Sequence, residues 1–203
     1  MEEKKLRPVN GQAVCEYSDK RFGWLTMGHN GCVVLSVYNA LLRMGRPVPL
    51  EQIHGIFHRP WKGRLLGVRL RELRSALELL DVPYRELLSA SQMEEEMKPG
   101  DIAVMIRWNR TVPYCDFTLE QGLPSVRDFA DPFGGGHGMA VERMEGGIWR
   151  VYNRYSNRGY HYDYKQLSDF MVSDVSFMGG FLLMPKTFAE ESEKNIDKAR
   201  RIL

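Results

Sequence analysis

Three residues of this 203-residue chain have types and surroundings suited to acyl-transfer chemistry: Cys32, His137 and Asn153. Cys32 stands in NGCVVLSVYNALLRMG, Asn30 to Gly45, where a glycine precedes a long apolar run. If that run is a helix, the cysteine lies at its start, where unpaired N–H groups and the positive end of the dipole stabilise a thiolate and can donate to an oxyanion. A nucleophilic thiol also needs a base to take its proton and a third group to orient the base. His137 follows Phe133-Gly134-Gly135-Gly136, a flexible run that lets ligand and backbone approach closely, and it opens an apolar strand that would hold it firmly. Asn153 ends the facing strand. Counting back across the Gly146-Gly147 connection places it opposite about Ala140, where its side chain could hold the imidazole. The plain alternative is that Cys32 is a core filler, since free cysteine is among the most buried residue types.

The other candidates are weaker. His29 precedes Cys32 by three residues on a Gly-rich turn and is the second choice for the base. His54 and His58 have the helical spacing of a metal pair, but such a pair is more often a partly solvated face, and no metal or other cofactor is expected. His161 has only aromatic neighbours to recommend it. Cys15, Cys32 and Cys115 are odd in number and form no CxxC pair, which argues against a disulfide framework and a structural zinc. Trp24, Trp61, Trp108 and Trp149 read as core or cleft-wall aromatics, and Glu94-Glu95-Glu96 as a solvated helix face. Asp131-Pro132 and the glycines after it suit a cleft rim better than a phosphate cradle, because no helix follows them.

Positioning these residues requires a core, and 203 residues at 43% hydrophobic are enough for one and too few for two ordinary domains. The formal charge of +2 and the lack of a basic block point away from nucleic acid. MEEKKLRPVN lacks the apolar centre of a signal peptide, and no segment approaches the roughly 20 apolar residues of a membrane span, so a soluble, cytoplasmic protein is expected. Helices are expected over Gly31 to Met44, Pro49 to His58, Val68 to Leu80 and Ser89 to Met97. Then Pro99-Gly100 turns into the strand DIAVMIRW. HGMAVERM and IWRVYNRY flank Glu145-Gly146-Gly147 as an antiparallel hairpin, GGFLLMP is a last strand, and Phe188 to Ile202 a charged terminal helix or tail. Helices first and sheet second is the α+β arrangement.

Four segments in this order, GCVVLSVYNALLRMG, GVRLRELRSALELLDVPY, MKPGDIAVMIRW and GGHGMAVERMEGGIWRVYN, resemble the papain-like cysteine peptidases of the bacteriocin-processing C39 type and their C39-like bacterial relatives. The resemblance covers about residues 24–185 of a single domain spanning 1–203, with 186–203 as a tail. It implies a papain-like fold, a central Cys-bearing helix packed on a C-terminal antiparallel sheet, and a triad of Cys32, His137 and Asn153. It also implies a peptide or small acyl substrate.

Two departures bear on the oxyanion hole. The family usually carries CGP or CGA at the helix start and a glutamine several residues earlier; this chain has Cys32-Val33-Val34 and Thr26. Asn30, then His29 or Thr26, are the candidates to supply the missing donor, whose loss typically costs about 100- to 1000-fold in rate. Three functions stay open at this level: a peptidase or amidase, an acyltransferase using the same triad, and a papain-like binding domain without catalysis.

Overall fold

The computed structural model describes residues 6–12, 15–58, 67–109, 115–117, 124–126, 135–153, 161–170 and 176–185. A short hairpin, β1 (Arg21–Phe22) and β2 (Leu25–Thr26), leads into a single helical turn α1 (Met27–Asn30) and the central helix α2 (Cys32–Arg43). Helices α3 (Leu50–His58) and α4 (Leu70–Leu79), strand β3 (Tyr84–Leu87) and helix α5 (Ala90–Glu96) follow. The rest is strand: β4 (Ile102–Asn109), β5 (Cys115–Phe117), β6 (Pro124–Val126), β7 (Gly135–Arg143), β8 (Trp149–Tyr152), β9 (Tyr162–Tyr164) and β10 (Phe177–Leu183). The class is α+β.

The main sheet has the order β3-β10-β4-β7-β8-β9, and every neighbouring pair is antiparallel. Alternate side chains of each strand point to opposite faces. Ile102, Val104, Ile106, Ala140 and Tyr152 therefore pack under α2, α3 and α4, while Ala103, Met105, Met139, Val141 and Trp149 pack against α5 and Phe170. With both faces covered, β4 and the latter part of β7 bury nearly every side chain, which is why their sequences run apolar without alternation.

α2 is central because it is apolar on almost all sides: every residue from Cys32 to Leu41 is buried. It stops at Gly45, which takes φ 70° and lets the Arg46 N–H reach Leu41 O at 2.9 Å and the Gly45 N–H reach Leu42 O at 3.2 Å. That paired closure uses the left-handed conformation glycine adopts without cost. The helix lies along β7 and is held at both ends. At its start, Gly138 leaves room for the first turn: a Cβ there would come within 3.0 Å of the Val33 N and Cα. At its end, Arg43 makes two hydrogen bonds to Glu142, Nε to Oε2 at 3.0 Å and Nη2 to Oε1 at 2.9 Å, and the Tyr152 hydroxyl donates to the same carboxylate at 2.7 Å.

The N-terminal segment straps across α2. Asn39, fully buried, takes the Val9 N–H on Oδ1 and donates from Nδ2 to the Val9 carbonyl, both at 2.7 Å. Tyr38 donates to the Arg7 carbonyl at 3.1 Å.

The helices and strands expected from sequence are present within a few residues, except that Phe188 to Ile202 lies outside the described residues. The division into a helical half and a sheet half is corrected by β3, which interrupts the helices and completes the sheet edge by pairing with β10. Its exposed Arg85 and Glu86 suit a short, charged edge strand, and they broke the apolar pattern that marks central strands. Among the described residues, no helix is long and apolar enough to cross a membrane.

Candidate active site

Cys32 is the first residue of α2 and 5% exposed. Gly31 before it is equally constrained, since a Cβ would meet the Met27 carbonyl at 2.6 Å. This crowding, with Gly138 on the other side, seats the thiol against strand β7. The N–H groups of Gly138, Val33 and Cys32 face the sulfur and draw its pKa down, but burial outweighs them and pushes the thiol above its ordinary value. Sequence reasoning anticipated a thiol drawn down by the helix terminus. The structure corrects this, because desolvation of a nearly closed-off sulfur is the larger effect.

His137, 1% exposed, lies on β7 next to Gly138. Its Nε2 is 2.7 Å from the backbone carbonyl of Asn153. A carbonyl can only accept, so the contact places the proton on Nε2 and, in the neutral ring, the basic lone pair on Nδ1.

Asn153 is fully buried, follows the last residue of β8 and adopts φ 65°. Asparagine is one of the few residues that tolerate this left-handed conformation. The register is one residue off the symmetric count: Tyr152, not Asn153, faces Ala140, because a short 3-10 turn over Glu145–Gly147 closes the hairpin. Asn153 therefore sits beyond the pairing, and the backbone reversal turns its carbonyl to His137. Its side chain does something else. Nδ2 donates to the Cys32 carbonyl at 2.9 Å and to the Gly138 carbonyl at 3.2 Å, joining the start of α2 to β7. The expected contact between the Asn153 side chain and the imidazole is replaced by one from its backbone.

Of the residues named for the oxyanion hole, Thr26 and His29 lie within hydrogen-bond distance of each other, Thr26 Oγ1 to His29 Nδ1 at 3.1 Å, with His29 exposed. Asn30 closes α1 one residue before Gly31 and is half-buried. Sequence reasoning missed Gln12. It is buried, and its Nε2 donates to the Gly28 carbonyl at 3.0 Å, so it holds the turn that precedes Cys32. Nothing local marks Gln12, since it lies 20 residues upstream of Cys32 in an irregular segment.

The remaining candidates sit elsewhere. The His54 and His58 rings stack at 5.1 Å and 17°, against Phe22, so their in-plane lone pairs run side by side and do not converge as metal ligands must. His54 Nε2 is 2.9 Å from the Arg21 carbonyl, and burial pulls this histidine below its ordinary value. His161 packs edge-on against Tyr152. Cys15 is half-buried with its thiol on the Gln12 carbonyl, and Cys115 lies in β5. Among the described residues, no three or more histidine, cysteine or acidic side chains are grouped to hold a metal. Trp149 is a core residue, Trp24 and Trp108 are exposed, and Trp61 and Asp131-Pro132 lie outside the described residues.

No protein-family model matches the chain, and no curated protein matches it in sequence.

Proposed function

We propose that the chain is a cysteine-dependent acyl-transfer enzyme of papain-like architecture, a peptidase or amidase. Cys32 is its nucleophile, His137 its base, and Asn153 the residue that orients the base. The observation that carries this reading is that Asn153 holds both other residues at once, His137 through its carbonyl and the Cys32 end of α2 through its amide. These two contacts tie Asn153 to residues 121 and 16 positions away in the chain, which supports a shared site.

The steps follow from the proton positions. Burial keeps the Cys32 thiol protonated at rest, so the proton moves to Nδ1 of His137 as sulfur attacks the substrate carbonyl carbon. The carbonyl oxygen takes up the negative charge, which the N–H groups around the sulfur can stabilise. Collapse breaks the carbon–nitrogen bond, the amine leaves with the proton from His137, and a thioester remains. Water, activated by the same histidine, then releases the acid. An acyltransferase would share every step to the thioester and differ only in the acceptor. The low exposure of Cys32 favours a second reading, a binding domain that keeps the papain-like frame without turnover.

Incubation with a p-nitrophenyl ester and intact-mass analysis tests the proposal. The expected result is one acyl adduct, mapped to Cys32 and absent from Cys32→Ala and His137→Ala. Adducts confined to other residues would reject the nucleophile and leave the binding domain, and a Cys32 adduct unchanged by loss of His137 would reject His137 as the base.

A further inference from the structure

Hairpin β1–β2 presses one aromatic side chain into the body of the protein. Its turn is Gly23-Trp24, with Phe22 paired to Leu25 and Gly23 at φ 64°. Trp24 at the tip is exposed, whereas Phe22 is fully buried. Phe22 packs on two histidines of α3: its ring centroid lies 5.6 Å from that of His54 and 6.2 Å from that of His58. The two imidazoles stack on each other at 5.1 Å, and His54 Nε2 is 2.9 Å from the Arg21 carbonyl. A carbonyl only accepts, so neutral His54 carries its proton on Nε2 and its lone pair on Nδ1. Helix α3 thus grips β1 by a ring set on a histidine pair and by one hydrogen bond from that pair.

The hairpin leads directly into the turn before Cys32. The Met27 N–H donates to the Lys20 carbonyl and the Gly28 N–H to the Ser18 carbonyl, both at 2.8 Å, so α1 hangs on the segment that carries β1. Met27 is fully buried and fills the space against Gly31, where a Cβ would come within 2.7 Å of its sulfur. Movement of β1 away from α3 therefore reaches the residue before Cys32 through two hydrogen bonds and one packed thioether.

Such stacking suits neutral rings. With both imidazoles protonated, two like charges would face each other at 5.1 Å, a repulsion of several times thermal energy at the dielectric of a protein surface. His58 Nδ1 is buried with no hydrogen-bond partner among the described residues, so nothing there steadies a second charge. After burial, the groups that act on His54 are the Arg21 carbonyl, Lys20, His58 and Glu51; Lys20 and His58 oppose a charge on the ring, and Glu51 favours one. The Arg21 guanidinium is turned to the Gly23 carbonyl. We propose that His54 and His58 form an acid-sensitive latch, which clamps hairpin β1–β2 to α3 while both rings are neutral and releases it, with the turn before Cys32, when they take up protons. A released His54 titrates at its ordinary 6.5 and the clamped ring below that, because burial disfavours the cation. Release therefore gains a proton on the acid side, and the clamp is complete above pH 6.5 and weakens as pH falls below it. The latch stands on the packing of the hairpin and does not depend on the acyl-transfer reading.

Hydrogen exchange read by mass spectrometry, corrected for the pH dependence of intrinsic exchange, tests the latch. Between about pH 7.5 and about pH 5.5, peptides covering Arg21 to Gly31 should lose at least about threefold in protection while peptides of β4 keep theirs. His54→Gln keeps a donor for the Arg21 carbonyl but takes up no proton, and it should remove the pH dependence; His58→Gln takes away the facing ring and should reduce it. A wild type without pH dependence, a loss shared equally by β4, or a dependence unchanged in both variants overturns the latch. So does a dependence that disappears in His137→Ala, which would assign it to the other buried ring. Should His54→Gln fail to fold, ring NMR of the wild type decides: His54 must titrate below 6.5, with the Met27 and Gly28 amide signals following the same midpoint, and separate midpoints overturn the latch. The exchange result should be the same in Cys32→Ala, so failure of the latch and failure of the acyl-transfer reading are told apart.

Discussion

His137 is held by the backbone of Asn153 and not by its side chain: the ring Nε2 lies 2.7 Å from the Asn153 carbonyl, while the Asn153 amide donates to the carbonyls of Cys32 and Gly138. One residue thus performs two separable tasks, orienting a ring and joining a helix to a strand.

Substitutions at Asn153 separate these tasks. Asn153→Gly keeps the left-handed backbone and the carbonyl but loses the amide, so it should retain much of the Cys32 acylation rate at a stability cost of about 1–3 kcal/mol for the two buried hydrogen bonds lost. Asn153→Ala loses the same amide and must also place a Cβ at φ 65°, adding about 1–2 kcal/mol. Denaturant melts and acylation rates on both variants check this. Equal stability of the two variants would show that the backbone conformation carries no cost.

Gly138→Ala attacks the seat of the helix. The new Cβ would lie 3.0 Å from the backbone of Val33, so the start of α2 has to shift, at a cost of about 1–3 kcal/mol. Because the shift falls on the residue after Cys32, acylation should fall by more than the stability change accounts for. Thermal midpoint and acylation rate measured together decide it, and a stable variant with an unaltered rate would contradict the seating.

Burial of Cys32 has a signature at alkaline pH. The folded thiol has its pKa raised above the ordinary 9.0, so the folded state keeps a proton that the unfolded state has already released. The associated stability is complete below pH 9.0 and is lost as pH rises through the folded value. Tyr17, pushed up to about 12, acts in the same direction at higher pH. Stability curves of the wild type and Cys32→Ala should therefore converge as pH rises above 9.0, whereas parallel curves would mean that the thiol is not desolvated.

The opposite end of α2 provides a control. Tyr152→Phe removes the 2.7 Å hydrogen bond to Glu142 and leaves the Arg43 pair in place. A hydrogen bond to a charged acceptor is worth about 1.5–3 kcal/mol, and part exposure of Arg43 argues for the lower end. The melt should shift while the acylation rate at a temperature well below the midpoint stays close to wild type.

The sequence by itself determined the longer helices and the central strands. The apolar run after Gly31, the amphipathic spacing of α4 and the β-branched stretch of β4 each state their structure locally, because burial of an element imposes a period on its residues. It also singled out Cys32, His137 and Asn153, since a cysteine before an apolar run, a histidine after glycines and an asparagine at a strand end are local signals. Tertiary structure decided what each residue does. Whether Asn153 offers its carbonyl or its side chain depended on a hairpin register one residue different from the symmetric count and on the backbone reversal that follows it. The state of the Cys32 thiol depended on its desolvation by burial in the packed chain, and that outweighed the helix terminus visible in the sequence. Gln12 and the strand β3 at the sheet edge gained their places from pairing between distant segments. Periodicity reports whether a residue faces a core, and only the packed chain determines which atoms it meets there.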